Sequence, residues 1–364
     1  MAKRIIIAGG GTGGHIFPAV AIANALREID PQTELLFVGA KGRMEMEKIP
    51  QAGYRIEGLD IAGFDRSSLI KNIGLPLKLV KSIFQVRSIF KAFKPDAAIG
   101  VGGYSSFPVL RYAQARNIPT FIHESNSFAG KSNMLLGKKA RKIFTGTDGM
   151  GKFFPAQKIE VTGNPVRKSI AASSVSREEG LKHFSLAPDK KTVLIVGGSL
   201  GARSINLAID AGLDKLLDAG LQLIWQTGKL YVDQAAARTS GKSGVWTSAF
   251  INEMEKAYAA ADIVVSRSGA MSVAELCVAG KPAIFVPFPF AAEDHQTANA
   301  KKLVDKHAAM MVKDSEVMNE LVPLIISTAR NDEELNRLKK NISAMAVTNA
   351  DKRIAEMILD DLKS

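Results

Sequence analysis

Ile5-Ile-Ile-Ala-Gly-Gly-Gly-Thr-Gly-Gly-His15 is an apolar strand that runs through a glycine turn into a helix. Val193-Leu-Ile-Val-Gly-Gly-Ser-Leu-Gly-Ala202 repeats that pattern in the second half of the chain. Between and beyond these openings, short apolar runs alternate with helical segments, the signature of a parallel sheet covered on both faces. Strands are predicted at 5–8, 35–39, 97–101, 120–123 and 142–145, and again at 192–196, 221–226, 245–248, 263–266 and 283–287. The two openings mark duplicated architecture, not a solenoid repeat.

At 364 residues the chain exceeds what one hydrophobic core supports, so two domains are expected. Gly163-Asn164-Pro165-Val166-Arg167 breaks the pattern between a strand and a charged helix, and the join is placed there. An apolar fraction of 46% with 23% charged residues excludes a disordered or low-complexity chain. Cys277 is the only cysteine, which excludes an internal disulfide, and Ala-Glu-Leu-Cys-Val-Ala reads as a buried helix face. No run of about twenty apolar residues occurs, so neither a membrane span nor a signal peptide is expected, and the protein is placed in the cytoplasm.

The formal net charge of +12 is one-sided. Residues 1–163 carry 23 Lys and Arg against 12 Asp and Glu, whereas residues 164–364 carry 25 against 24. Such asymmetry implies an anionic partner for the first half, either nucleic acid or acidic lipid. From Arg66 to Pro95 there is no acidic residue, and Arg66, Lys71, Lys78, Lys81, Arg87, Lys91 and Lys94 alternate with Leu69, Ile73, Leu75, Leu77, Leu79, Ile83 and Phe84. A basic, apolar surface of this kind suits an anionic bilayer. With five Tyr and two Trp in the whole chain, stacking platforms for nucleic acid are scarce, and no nucleic-acid partner is expected.

Gly9 to Gly14 satisfies the dinucleotide-binding fingerprint, but that fingerprint needs an acid near the end of the next strand. Phe37-Val-Gly-Ala-Lys41 offers a lysine instead, which weakens a nicotinamide cofactor; a plain tight turn accounts for the glycines as well. His15 stands in the first helical turn, where the backbone dipole disfavours imidazolium, so it is a candidate general base; helix packing is the alternative use. Ser266-Arg-Ser-Gly-Ala-Met-Ser-Val-Ala-Glu275 aims helix N-terminal amides at an anion such as a diphosphate, with Glu275 one turn further in, either to hold a ribose or as an acid that complements the helix dipole. Gly197-Gly-Ser199 adds amides and a hydroxyl. Gln296, after Glu293-Asp-His, can donate to and accept from sugar hydroxyls, and His123-Glu-Ser-Asn126 closes a strand of the first half. No Asp-x-Asp pair is present and the histidines are scattered, so no metal site and no cofactor are expected, and leaving-group charge falls to amides and cations.

Taken in order, Gly-Gly-Thr-Gly-Gly-His-Ile-Phe-Pro, Gly-Gly-Tyr-Ser-Ser-Phe-Pro, His-Glu-Ser-Asn, Gly-Asn-Pro-Val-Arg, Gly-Gly-Ser-Leu-Gly-Ala and Arg-Ser-Gly-Ala-Met-Ser-Val-Ala-Glu resemble the motifs of the MurG family of glycosyltransferases. The resemblance implies an α/β GT-B fold, two Rossmann-like doubly wound parallel-sheet domains facing a cleft. It assigns residues 1–163 to an acceptor- and membrane-binding domain, with a C-terminal helix at 349–364 packing back on it, and 164–348 to a donor domain. It implies inverting, metal-independent transfer of N-acetylglucosamine from UDP-N-acetylglucosamine to undecaprenyl-diphospho-N-acetylmuramoyl-pentapeptide, at the cytoplasmic face of the cell membrane. A diacylglycerol glycosyltransferase of the same superfamily is the alternative. Carried over by motif, Thr12, Gly13, Gly14, Asn126, Arg167, Ser199, Ile251, Ala270, Met271, Ser272, Val273, Ala274, Glu275 and Gln296 contact the donor. His15 is the base, and Tyr104 and Glu124 lie on the acceptor side. Leu200 stands where many relatives carry glutamine, which leaves donor contacts there to the backbone; Met271 and Ala274 vary the loop between phosphate and ribose.

Overall fold

Strand β1 (Arg4–Ala8) turns Ile5 and Ile7 to one face of a sheet and Ile6 and Ala8 to the other, and all four are fully buried. A strand buried on both sides requires helices on both. The computed structural model, which describes residues 2–62, 75–198 and 200–363 with side chains except at 75–78 and 292, supplies them. It divides into two compact units, Met1–Arg167 with Asn349–Ser364, and Lys168–Thr348.

In the first unit β1 is followed by β2 (Glu34–Ala40), β3 (Ile56–Leu59), β4 (Ala97–Gly100), β5 (Thr120–Glu124), β6 (Lys142–Thr145) and β7 (Ile159–Val161). All pair in parallel, in the order β3-β2-β1-β4-β5-β6-β7. Helix α1 (Gly13–Ile29) covers one face through Ile16, Ile22 and Leu26. The last helix, Ala350–Asp361, packs beside α1 and adds Ile354, Ile358 and Leu359 to the same core. After the short α2 (Glu45–Gln51), helices α3 (Leu75–Phe93), α4 (Ser106–Ala115) and α5 (Lys131–Gly137) cover the other face with Val86, Phe90, Val109, Leu110 and Leu136.

The second unit repeats the plan with β8 (Thr192–Val196), β9 (Gln222–Gln226), β10 (Val245–Ser248), β11 (Ile263–Ser266), β12 (Ala283–Phe285) and β13 (Met310–Met311), again parallel, in the order β10-β9-β8-β11-β12-β13. Its helices are α6 (Lys168–Ala171), α7 (Arg177–His183), α8 (Arg203–Asp218), α9 (Val232–Thr239), α10 (Met254–Ala260), α11 (Ala270–Ala279), α12 (His295–Val304), α13 (Val317–Ala329) and α14 (Asp332–Ser343); the helix at Ala350–Asp361 is then α15. Helices α8 and α13 cross closely: a Cβ at Gly212 would lie 2.5 Å from Val322 Cγ2. Cys277 is buried in α11, and burial pushes its thiol up to about 12, so it is a core thiol and not a nucleophile.

Every predicted strand is present, with ends differing by one or two residues. Three strands were not predicted, β3, β7 and β13, and each lies at or next to a sheet edge. In the basic run, Arg66, Leu69, Lys71 and Ile73 lie outside the described residues; Lys81, Arg87 and Lys91 fall on α3. Lys81 is paired with Asp60 at 2.9 Å, so that cation is not uncompensated.

Candidate active site

Each sheet reverses its strand order at one point, between β1 and β4 in the first unit and between β8 and β11 in the second. Loops that leave the carboxyl ends of such a pair diverge and open a crevice, the usual place for a ligand in doubly wound sheets. Of the predicted site residues, Thr12 to His15, Tyr104, Ser199 and Ala270 to Glu275 follow these strands, while Glu124, Asn126, Arg167, Ile251 and Gln296 lie at or beyond the ends of others.

In the first unit the β1–α1 turn is laced to the loop after β4. Gly10 N–H donates to Gly102 O, and Ser106 Oγ donates to Ala8 O at 2.8 Å. Gly10 and Gly11 take φ of +149° and +88°, and a Cβ at Gly10 would lie 2.2 Å from the Glu45 carboxyl carbon. Glu45, at the start of α2 and 1% exposed, accepts from Gly11 N–H and Ala40 N–H. An acid therefore does follow the second strand, but it clamps the glycine turn and has no oxygen to spare for a ribose.

Thr12 is the exposed residue preceding α1, and its carbonyl accepts from His15 N–H and Ile16 N–H; Gly13 and Gly14 open the helix. His15 Nδ1 lies 3.0 Å from Gly10 O. A carbonyl only accepts, so Nδ1 carries the hydrogen, which selects the tautomer that leaves the lone pair on Nε2 whenever the ring bears one proton. The absence of a side chain at Gly102 makes room for the ring, since a Cβ there would lie 2.7 Å from Nε2. Tyr104 stands half exposed in the loop after β4. Arg167 places its guanidinium 4.3 Å from the centre of the Phe17 ring, over the first turns of α1.

The end of β5 brings a second group. Glu124 is buried and accepts from Asn126 N–H, Asn126 Nδ2, Gly130 N–H and Asn133 Nδ2. It ties together the loop that carries Asn126. His123 is fully buried, and burial pushes its imidazole down to about 4. It stays neutral at physiological pH.

In the second unit, Ser199 lies outside the described residues; its neighbour Leu200 is exposed, with the side chain in solvent. The β8–α8 turn needs glycine: Gly198 and Gly201 have φ near +80°, and a Cβ at Gly201 would lie 2.1 Å from Thr227 O. Gln226, buried at the end of β9, ties this turn to the loop carrying Ile251. Its Nε2 donates to Gly198 O, and its Oε1 accepts from Ile251 N–H. Ile251 is buried, and its amide hydrogen is given to Gln226 Oε1.

The β11–α11 turn holds the clearest anion geometry. Gly269 is the N-cap of α11 and supplies no side-chain cap, and the first turn, Ala270 to Val273, contains no acid. Its amides are the positive end of the helix dipole. Ala270, Ser272, Val273 and Ala274 are partly buried; Met271 and Glu275 are buried. Glu275 Oε2 accepts from Tyr258 Oη at 3.2 Å. Arg267, the cation of this turn, is spent elsewhere: it donates to Val286 O, Pro287 O, Asp314 Oδ1 and Ser204 Oγ. Gln296, on α12, accepts from Phe288 N–H through Oε1, and its Nε2 has no acceptor among the described residues.

Glu45, Gln226 and Tyr258 were not predicted as site residues. Each acts through a partner between 17 and 34 positions away in sequence, and no local motif records such a pairing.

Residues 5–145 match the glycosyltransferase family 28 N-terminal domain, and residues 192–355 match the family 28 C-terminal domain. A protein of Bacteroides fragilis named UDP-N-acetylglucosamine--N-acetylmuramyl-(pentapeptide) pyrophosphoryl-undecaprenol N-acetylglucosamine transferase is 51% identical over 98% of this chain and 95% of its own. The protein of that name from Phocaeicola vulgatus is also 51% identical, with the same coverage. The crystal structure of Acinetobacter baumannii MurG superposes with a TM-score of 0.76 at 30% identity, covering 98% of this chain and 99% of that one. The chain belongs to glycosyltransferase family 28, among its MurG members.

Proposed function

We propose that the chain transfers N-acetylglucosamine from UDP-N-acetylglucosamine to the 4-hydroxyl of a polyprenyl-diphospho-N-acetylmuramoyl-pentapeptide, with inversion and without a metal. The observation that carries the substrates is near-full-length identity of about half with relatives named for this transfer. In the second unit, the open N-terminal turn of α11 receives the diphosphate through the amides of Ala270 to Ser272, the Val273 amide being bonded to Gly269 O. Glu275 takes the ribose hydroxyls, and Gln296 offers Nε2 to the sugar. Gly197 and Gly198 lead into Ser199, which supplies a hydroxyl to the same phosphates. In the first unit, Thr12, Gly13, Gly14, Asn126 and Arg167 complete the donor contacts, and Tyr104 lies toward the acceptor.

Inversion follows from one in-line displacement. The acceptor oxygen attacks the anomeric carbon, the bond to UDP breaks, and the acceptor proton passes to His15 Nε2, whose lone pair is set by the Nδ1 contact to Gly10 O. Charge on the departing diphosphate falls on fixed amides, which need no reorganisation as it develops. The exposed apolar and basic face of α3 is the surface we assign to the anionic membrane, placing the enzyme peripherally at its cytoplasmic side. No helix among the described residues is long and apolar enough to cross a membrane.

The test is transfer of labelled N-acetylglucosamine from its UDP derivative to the lipid-linked muramoyl acceptor, with and without EDTA. Retained transfer in EDTA and a β-linked product are expected; an α-linked product overturns inversion. His15→Ala should lower turnover by about two to four orders of magnitude with little change in UDP affinity. Wild-type turnover in that variant removes His15 as base.

A further inference from the structure

The second unit contains a cavity of 600 Å³ at the edge of its sheet opposite the loops described above. Its wall includes Lys191 and Asp262, which immediately precede β8 and β11, and Lys281, two residues before β12, so it lies under the amino ends of the strands. That volume falls in the range of metabolite sites, roughly 300–1,000 Å³.

Its charges are unevenly compensated. Arg177, placed at the start of α7 by the Ser176–Glu179 capping box, is paired with Asp262 at 2.9 Å. Lys191 is paired with Asp332. Lys281, partly buried, donates only to Ala261 O, at 2.9 Å, and has no ion-pair partner among the described residues. Lys339, at the exposed rim, has neither a hydrogen bond nor an ion pair among them. Burial pushes the Lys281 ammonium down to about 8; Asp262 opposes that fall, while Lys339 and Arg177 repel the charge and deepen it. Glu255, on α10, is the remaining carboxylate of the wall. An ammonium withdrawn from water beside other cations is costly, and an anion between them removes the cost.

We propose that this cavity binds a small phosphorylated metabolite, its phosphoryl group held between Lys281 and Lys339, as a regulatory site separate from the reaction. Compact ammonium charges suit a phosphoryl group, which can accept from both at once. The cavity also touches the machinery of the unit it occupies. Tyr258 lines it and donates to Glu275, and α11 begins at the diphosphate amides and ends at Gly280 beside Lys281. Occupancy therefore changes UDP affinity, and by linkage UDP changes occupancy by the same factor. This coupling rests on the donor site proposed above; the binding does not.

The test uses the intact chain and inorganic pyrophosphate as probe, titrated by calorimetry with UDP saturating so that the donor site is closed to it. Lys281→Gln and, at the exposed rim where folding is not at risk, Lys339→Gln should each weaken pyrophosphate by about tenfold or more. Reductive ¹³C-methylation adds a direct readout: the Lys281 signal should titrate near 8 alone and move upward with pyrophosphate bound. No pyrophosphate binding, or binding unaffected by both variants, overturns the site. Failure of UDP to bind the wild-type chain would overturn the donor reading and leave the pyrophosphate result standing. Binding of both, with Tyr258→Phe and wild type showing the same UDP affinity with and without pyrophosphate, overturns the regulation.

Discussion

Glu45 and His123 show how much of a site is held by single side chains that touch no substrate. The Glu45 carboxylate is buried and bridges Gly11 N–H to Ala40 N–H. Glu45→Ala leaves the buried Ala40 amide and the partly buried Gly11 amide without acceptors, which costs about 1–4 kcal/mol. It also releases the turn whose Gly10 carbonyl orients His15. Chemical denaturation should show that loss, and turnover should fall with it; an unchanged midpoint would mean the turn is held by its glycines alone. His123 carries a different consequence. Its folded pKa, about 4, lies below the ordinary 6.5, because burial disfavours the cation. Above 6.5 neither folded nor unfolded chain is protonated there, and the fold is not penalised. As pH falls from 6.5 toward 4 the unfolded chain takes up the proton and the folded chain does not, so stability drops by on the order of 3 kcal/mol. His123→Gln should flatten that part of the stability–pH curve, and an equally steep fall in the variant would assign the acid loss to other groups.

At the scale of elements, the central strands are legible because burial on both faces writes a continuous apolar run, as in Ile5-Ile-Ile and Val193-Leu-Ile. Strands β3, β7 and β13 are not, because an edge strand has fewer neighbours to satisfy: Ile56-Glu-Gly-Leu and Ile159-Glu-Val are polar in the middle, and Val161 is exposed. The glycine turns and the start of α11 are legible for a related reason, since positive φ and close backbone approach restrict residue type locally. What the sequence does not disclose is allocation. Arg267 stands beside the amides of its motif, yet it donates to carbonyls and to Asp314 from beyond β12. On the donor site proposed above, helix α11 works through its amides and Glu275. Glu275→Ala should weaken UDP by about 1.5–3 kcal/mol, the scale of hydrogen bonds to a charged group, while Glu275→Gln keeps one acceptor and loses less. Calorimetry giving wild-type UDP affinity for Glu275→Ala would remove the ribose contact.

The whole molecule carries its positive excess on residues 1–163. Much of the physical meaning of that asymmetry lies on α3. Ser82, Val86 and Phe90 recur every four residues and are buried, so the helix docks by that stripe. Val80 and Phe84 lie away from that stripe, with Phe84 64% exposed, and Arg87 and Lys91 follow on the same side one and two turns later; Leu79 and Ile83, flanking the stripe, are also left in solvent. Apolar groups left in water at this density are unfavourable unless something covers them. An anionic bilayer meets both needs, since acyl chains take Val80 and Phe84 while headgroups attract the cations, at about 1 kcal/mol each. Because the apolar term is insensitive to salt and the ionic term is not, the two separate experimentally. Binding to vesicles containing phosphatidylglycerol should weaken with added salt but retain a residue that Val80→Ser with Phe84→Ser abolishes. Turnover on a short-chain, water-soluble acceptor should be unchanged in the same double variant. Equal vesicle binding by wild type and variant would assign the membrane contact to a surface other than α3.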